Sequence, residues 1–140
     1  MSQNDLARFG VALKSYVATL PRELGKAVLL ETSDNFRRQG YENDAGAVVP
    51  WGPCKAADRR KGRANPRQRA LLVQSGRLRR SARIVITTAS SVTVSTDVPY
   101  VEAQQEGVGG ISVRPFIGLG RSAQQKLLMK ISAGITALLE

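Results

Sequence analysis

Lysine and arginine crowd one part of this 140-residue chain. Lys55, Arg59, Arg60, Lys61, Arg63, Arg67, Arg69, Arg77, Arg79, Arg80 and Arg83 stand in a window whose only acid is Asp58. The chain holds 21 Lys and Arg against 11 Asp and Glu; outside the window ten of each remain and cancel, so the formal charge of +10 belongs to that window. Charge this concentrated attracts phosphates or carboxylates, and phosphate attraction would weaken steeply with salt. Sequence-specific DNA reading is not expected, because no helix-turn-helix, zinc-finger or ribbon motif presents a reading element.

Other chemistry is thinly supplied. The absence of histidine removes the commonest general base and the Ser-His-Asp route to a nucleophile. Cys54 stands alone, so neither an internal disulfide nor a Cys/His metal set can form. No paired carboxylate motif stands out, and the expectation is a non-enzymatic protein without cofactor or metal.

The elements that must carry these charges belong to a single domain, 1–140, long enough to bury roughly two thirds of its unfolded surface. Hydrophobic residues at 42% suit a globular chain rather than a disordered one. The opening "MSQNDLARFG" lacks the layout of a secretion signal, and no apolar run approaches the ~20 residues of a membrane span.

Leu6, Phe9, Leu13, Tyr16, Val17 and Leu20 recur at helical spacing, as do Leu24, Ala27, Val28, Glu31 and Phe36, giving a helical region 1–39. Pro21 is expected to divide it into a kinked helix or a helical pair, and Gly40 to stop it. From 40 to 69 no period persists, and the reading is a long basic loop, a candidate docking arm that orders on assembly. Trp51 in that loop either anchors it to the body or docks a partner, with anchoring the favoured reading.

Residues 70–120 read as a small sheet with short helices. Ser75-Gly76 turns the chain toward the sheet, with Leu72, Val73 and Leu78 as core anchors. Ile84, Ile86, Val92 and Val94 mark a hairpin through Ala89–Ser91. A short helix begins at Pro99 and ends at Gly107, and Pro115 holds Arg114 extended. Phe116 is assigned to the core, Arg114 to pairing with Glu102 or Glu106, within the subunit or across to the next, and Gly118 with Gly120 to a hinge. Leu127, Leu128, Ile131, Ile135 and Leu138 place an amphipathic helix at 121–140, with Ser122 and Gln125 at capping-box spacing. The class is α+β: N- and C-terminal amphipathic helices on a small antiparallel sheet, with a long basic loop.

Four pieces, in this order, resemble one known family. Trp51 lies in a basic loop; "LVQSGRLRRS" follows, with Gly76 and Leu78; then come "YVEAQQEG", led by Tyr100 and closed by Gly107, and "VRPFIG", with Arg114 and Phe116. Over residues 36–140 this resembles the phage virion morphogenesis proteins, the tail-completion or neck proteins of tailed bacteriophages. Members often carry histidine and glutamine where this chain has Gln104 and Gln105, so no imidazole role carries over. The resemblance implies a structural virion protein at the head-tail junction, made in the host bacterial cytoplasm and acting as a head-tail connector or tail terminator. It implies a homo-oligomeric ring, hexameric or dodecameric, that meets other neck, connector or tail-tube proteins and packaged DNA in the channel, with no membrane. Trp51, Gly76, Leu78, Tyr100, Gly107, Arg114 and Phe116 would then be structural or inter-subunit positions. The cations of the window would face an acidic neighbour, DNA or plain solvent. The alternative from another class is a stand-alone nucleic-acid-binding protein without sequence preference.

Overall fold

Helix α1 spans Gln3–Arg38, 36 residues and about 54 Å. A capping box starts it: the Ser2 hydroxyl accepts from the Asp5 N–H at 3.1 Å, and the Asp5 carboxylate accepts from the Ser2 N–H. Of the two expectations at Pro21, the helical pair is not found: α1 is one helix. The helix runs through a buried Pro21, although a mid-helix proline costs roughly 3 kcal/mol. Packing on both sides of the proline offsets that cost, since the helices and strands described below grip each half separately. The computed structural model describes residues 1–52, 77–99, 101–107 and 113–140. Lys55, Arg59, Arg60, Lys61, Arg63, Arg67, Arg69, Cys54, Ser75, Gly76 and Tyr100 lie outside the described residues.

Gln39, not a glycine, takes the left-handed position that ends α1, and its side-chain amide donates to the Phe36 carbonyl at 2.8 Å. Gly40 serves a different end from the expected stop. A Cβ there would stand 2.6 Å from the Val49 carbonyl oxygen, because Gly40 opens strand β1 (Gly40–Glu42) tight against β2 (Val48–Pro50). The segment read as loop from residue 40 therefore begins with a hairpin. Asn43 closes its turn by accepting the N–H groups of Ala45 and Ala47, and Gly46 supplies φ 84°.

Helix α2 (Arg77–Ser81) leads into β3 (Arg83–Thr87), which pairs antiparallel with β4 (Val92–Ser95). Ile84 faces Val94 and Ile86 faces Thr93, so Val85 is bulged and both Val85 and Ile86 are exposed. The hairpin lies on the second half of α1 at Gly25, where a Cβ would meet Ile84 Cδ1 at 2.8 Å and Val92 Cγ2 at 2.9 Å. Helix α3 (Val101–Glu106) ends at Gly107, whose φ is 77°. The class is α+β as expected, with two separate two-stranded sheets among the described residues rather than one.

Helix α4 (Arg121–Leu138) returns antiparallel to the first half of α1. The Tyr16 hydroxyl donates to the Ile131 carbonyl at 3.4 Å, Lys130 pairs with Glu23 at 2.8 Å, and Gly134 admits the Tyr16 ring. Its N-cap is Gly120 rather than Ser122, and no side chain of its own caps it. Instead the Glu42 carboxylate, from β1, accepts the Ser122 N–H. Gly120 is no hinge either: it is buried, and a Cβ would strike Glu42.

Candidate functional site

The buried apolar core consists of Phe36, Trp51, Leu78, Val98 and Phe116, edged by Tyr41, Val101 and Ile117. Phe36 lies at its centre, edge-on to Trp51 with ring centroids 5.5 Å apart and 5.7 Å from Phe116. One residue from each distant stretch of the chain thus meets the others here.

Hydrogen bonds lock Arg114–Ile117 into that core. The Trp51 indole donates to the Pro115 carbonyl at 2.8 Å, and the Asn35 amide to the Phe116 carbonyl at 3.0 Å. Gln105 does double duty: its amide oxygen accepts the N–H of Phe116 at 2.9 Å and of Ile117 at 3.3 Å, while its NH₂ donates to the Ile117 carbonyl at 3.0 Å. A histidine could not make both kinds of contact with one end of its ring, whereas a primary amide can. Arg114 is buried and donates to the Gly52 carbonyl and the Gln104 side chain; within the subunit it does not pair with Glu102 or Glu106. Trp51 and Phe116 are therefore interior.

From the same core the basic turn projects outward. Leu78, 2% exposed, pins α2, and the Ser81 hydroxyl donates to the Leu78 carbonyl at 2.7 Å while meeting the Thr96 hydroxyl. With Leu78 inward, successive 100° steps carry Arg77, Arg79 and Arg80 around the remaining sides. All three are exposed, as is Arg83 at the start of β3. Arg83 reaches Asp97 at 3.9 Å, but both side chains are mostly solvated, so that pair contributes little.

A second exposed region is apolar. No residue of α4 is buried, nor is any residue of α1 before Pro21. The facing stripes of Phe9, Leu13, Tyr16 and Leu20 with Leu127, Ile131, Ile135 and Leu138 are only part-covered. Leu6 (60% exposed), Val11 (70%), Leu128 (65%) and Met129 (72%) point away from the seam. Leu128 thus leaves the face assigned to it.

Sequence reasoning missed Asn35 and Glu42, and placed Glu31 on the buried helical stripe without its partner. Glu31 is buried and paired with Arg38, which also bonds Asn35. Polar residues at buried helical phase, Glu31, Thr32 and Asn35, were the available signal. Accepting the Ser122 N–H holds the Glu42 carboxyl below the ordinary glutamate range. Among the described residues no group of acidic or sulfur ligands could hold a metal, and no helix is long and apolar enough to cross a membrane. No family model matches the chain, and comparison with curated proteins and with solved structures yields no match either.

Proposed function

We propose that this chain is a structural virion protein of a tailed phage, joining or completing the tail at the head-tail junction as part of an oligomeric ring. One observation carries the reading. Landmarks that are scattered in the sequence converge in the fold: Trp51, Leu78 and Phe116 share one core, and the Trp51 indole and the Gln105 amide bond the Pro115–Ile117 backbone beside it. Signature residues that build a common interior are what a family fold, rather than chance matches, requires. The half-covered α1–α4 pair adds support, because exposed aliphatic side chains along two helices suit a subunit that is finished by neighbours. Mass spectrometry of particles purified from the encoding phage should find the chain in fixed ratio to tail proteins. Complete particles that lack it would defeat the proposal.

The exposed guanidinium groups of Arg77, Arg79, Arg80 and Arg83 favour a second reading, non-specific binding of nucleic acid by the free chain. Under it, purified protein retards duplex DNA of any sequence, and raising salt abolishes the shift. Retardation that survives ~0.5 M salt, or none at low salt, counts against that reading.

A further inference from the structure

The four arginines of the basic turn have a counterpart of opposite sign on the same molecule. In α3, Val101, Gln104 and Gln105 turn toward the body, the glutamines through their bonds to Arg114, Phe116 and Ile117. That orientation sets Glu102 and Glu106 outward, about 40° apart around the helix. Both are exposed, and neither has an ion pair or hydrogen bond among the described residues.

The acidic patch is locally unfavourable, because carboxylates at i and i+4 repel along a helix. On α2 like charges also crowd, although Arg77 and Arg80 each have a partner. Arg79 has no partner among the described residues, and Arg83 holds only the solvated contact to Asp97. Both helices are anchored to one core, α2 through Leu78 and α3 through Val101 and the Gln104–Gln105 bonds. Two anchored patches of opposite charge on one body form a contact that repeats from copy to copy. Guanidinium and carboxylate groups match in geometry as well as sign.

We propose that the basic turn Arg77–Arg83 of one copy docks on the Glu102–Glu106 face of α3 in the next. The contact is head-to-tail, so it closes a ring when the rotation per copy permits. It deepens the assembly reading above and rests on it, but it is tested on the purified chain without particles.

Sedimentation of the full chain at about 50 mM salt should show self-association that falls as salt rises to about 500 mM. R79E/R83E and E102R/E106R should each, alone, weaken association by about tenfold or more. Both variants should keep the wild-type melting curve, since every substituted side chain is exposed. Mixed one to one, they should associate again, because each supplies the surface the other's altered patch accepts. A wild-type chain that stays monomeric at low salt overturns the proposal. So does association of either variant at wild-type strength, or failure of the mixture to recover. If R79E/R83E abolishes DNA retardation while E102R/E106R leaves self-association intact, the turn serves nucleic acid instead. Failure here, with the chain still found in particles, removes this contact and leaves the virion assignment standing.

Discussion

Arg114–Ile117 and helix α4 are neighbours in the chain, yet their surroundings are opposite. The first segment has no regular secondary structure and is surrounded: Phe116 is fully buried, and its backbone bonds side chains from α1, α3 and the Trp51 segment. The second is a regular helix of 18 residues with none buried. Irregular backbone can be interior only if every polar group finds a partner, and here side-chain amides supply those partners. A helix satisfies its own backbone, so it tolerates an open side, and its apolar face can be left for another molecule. Among the described residues the apolar core is five side chains, and the helix pair stays open on one side.

The hardest break is at the closed region. Phe116→Ala removes a fully buried ring from that core and should cost about 3–5 kcal/mol, a large part of a small domain's stability. Chemical denaturation reads it directly; a loss under ~1 kcal/mol would mean the core is organised differently. Gln105→Leu keeps the volume but strands two N–H groups and a carbonyl, at about 2–3 kcal/mol. Gln105→Glu separates the functions, retaining the acceptor oxygen while losing the donation to Ile117, and should fall between wild type and Leu. Equal destabilisation by Leu and Glu would show that the donated bond dominates.

At the open region the expected signature is inverted. Leu128→Gln with Met129→Gln should leave the melting curve within about 0.5 kcal/mol, since both side chains are already in solvent. Incorporation into particles should nevertheless drop. Destabilisation comparable to Gln105→Leu would mean that α4 is buried in the monomer and that the comparison is false.

Legibility followed the same division. Both terminal helices announce themselves through apolar residues at three- and four-residue steps, and the β3–β4 hairpin through its Ile, Val and Thr content, because these signals are local. Pro21 misled only in suggesting a pair of helices, since the propensity of one residue lost to packing on either side of it. The β1–β2 hairpin was hidden because three-residue strands are too short to show alternation. The locked segment was least visible of all. Phe116 could be assigned to the core as a scarce aromatic, but the roles of Gln105, Asn35 and the Trp51 indole exist only through contacts 11, 81 and 64 residues away. Leu78 is legible as a core anchor and is buried; the crowding of Arg77, Arg79, Arg80 and Arg83 requires only that some be exposed, and all four are.

The smallest expected effect joins the two regions. Ser122 and Gln125 looked like a local capping box for α4, yet Glu42, 80 residues earlier, takes the Ser122 N–H. A carboxylate at a helix N-terminus contributes about 0.3–1 kcal/mol, toward the lower end where water reaches it. The bond to the Ser122 N–H favours the ionised form, so the folded-state pKa lies below the ordinary glutamate value of 4.5. Glu42 therefore stabilises the fold fully above that ordinary value, and the contribution disappears as pH falls through the lowered one. Glu23 titrates in the same direction, held down by Lys130 and then Lys26, so acid alone cannot isolate either group. Glu42→Gln can, because it leaves Glu23 in place. The stability gap between wild type and this variant should be constant from pH 8 to about 5 and narrow as pH falls below the ordinary glutamate value. A gap that does not narrow at all in acid would show that the charge on Glu42 is not what fastens α4 to the hairpin.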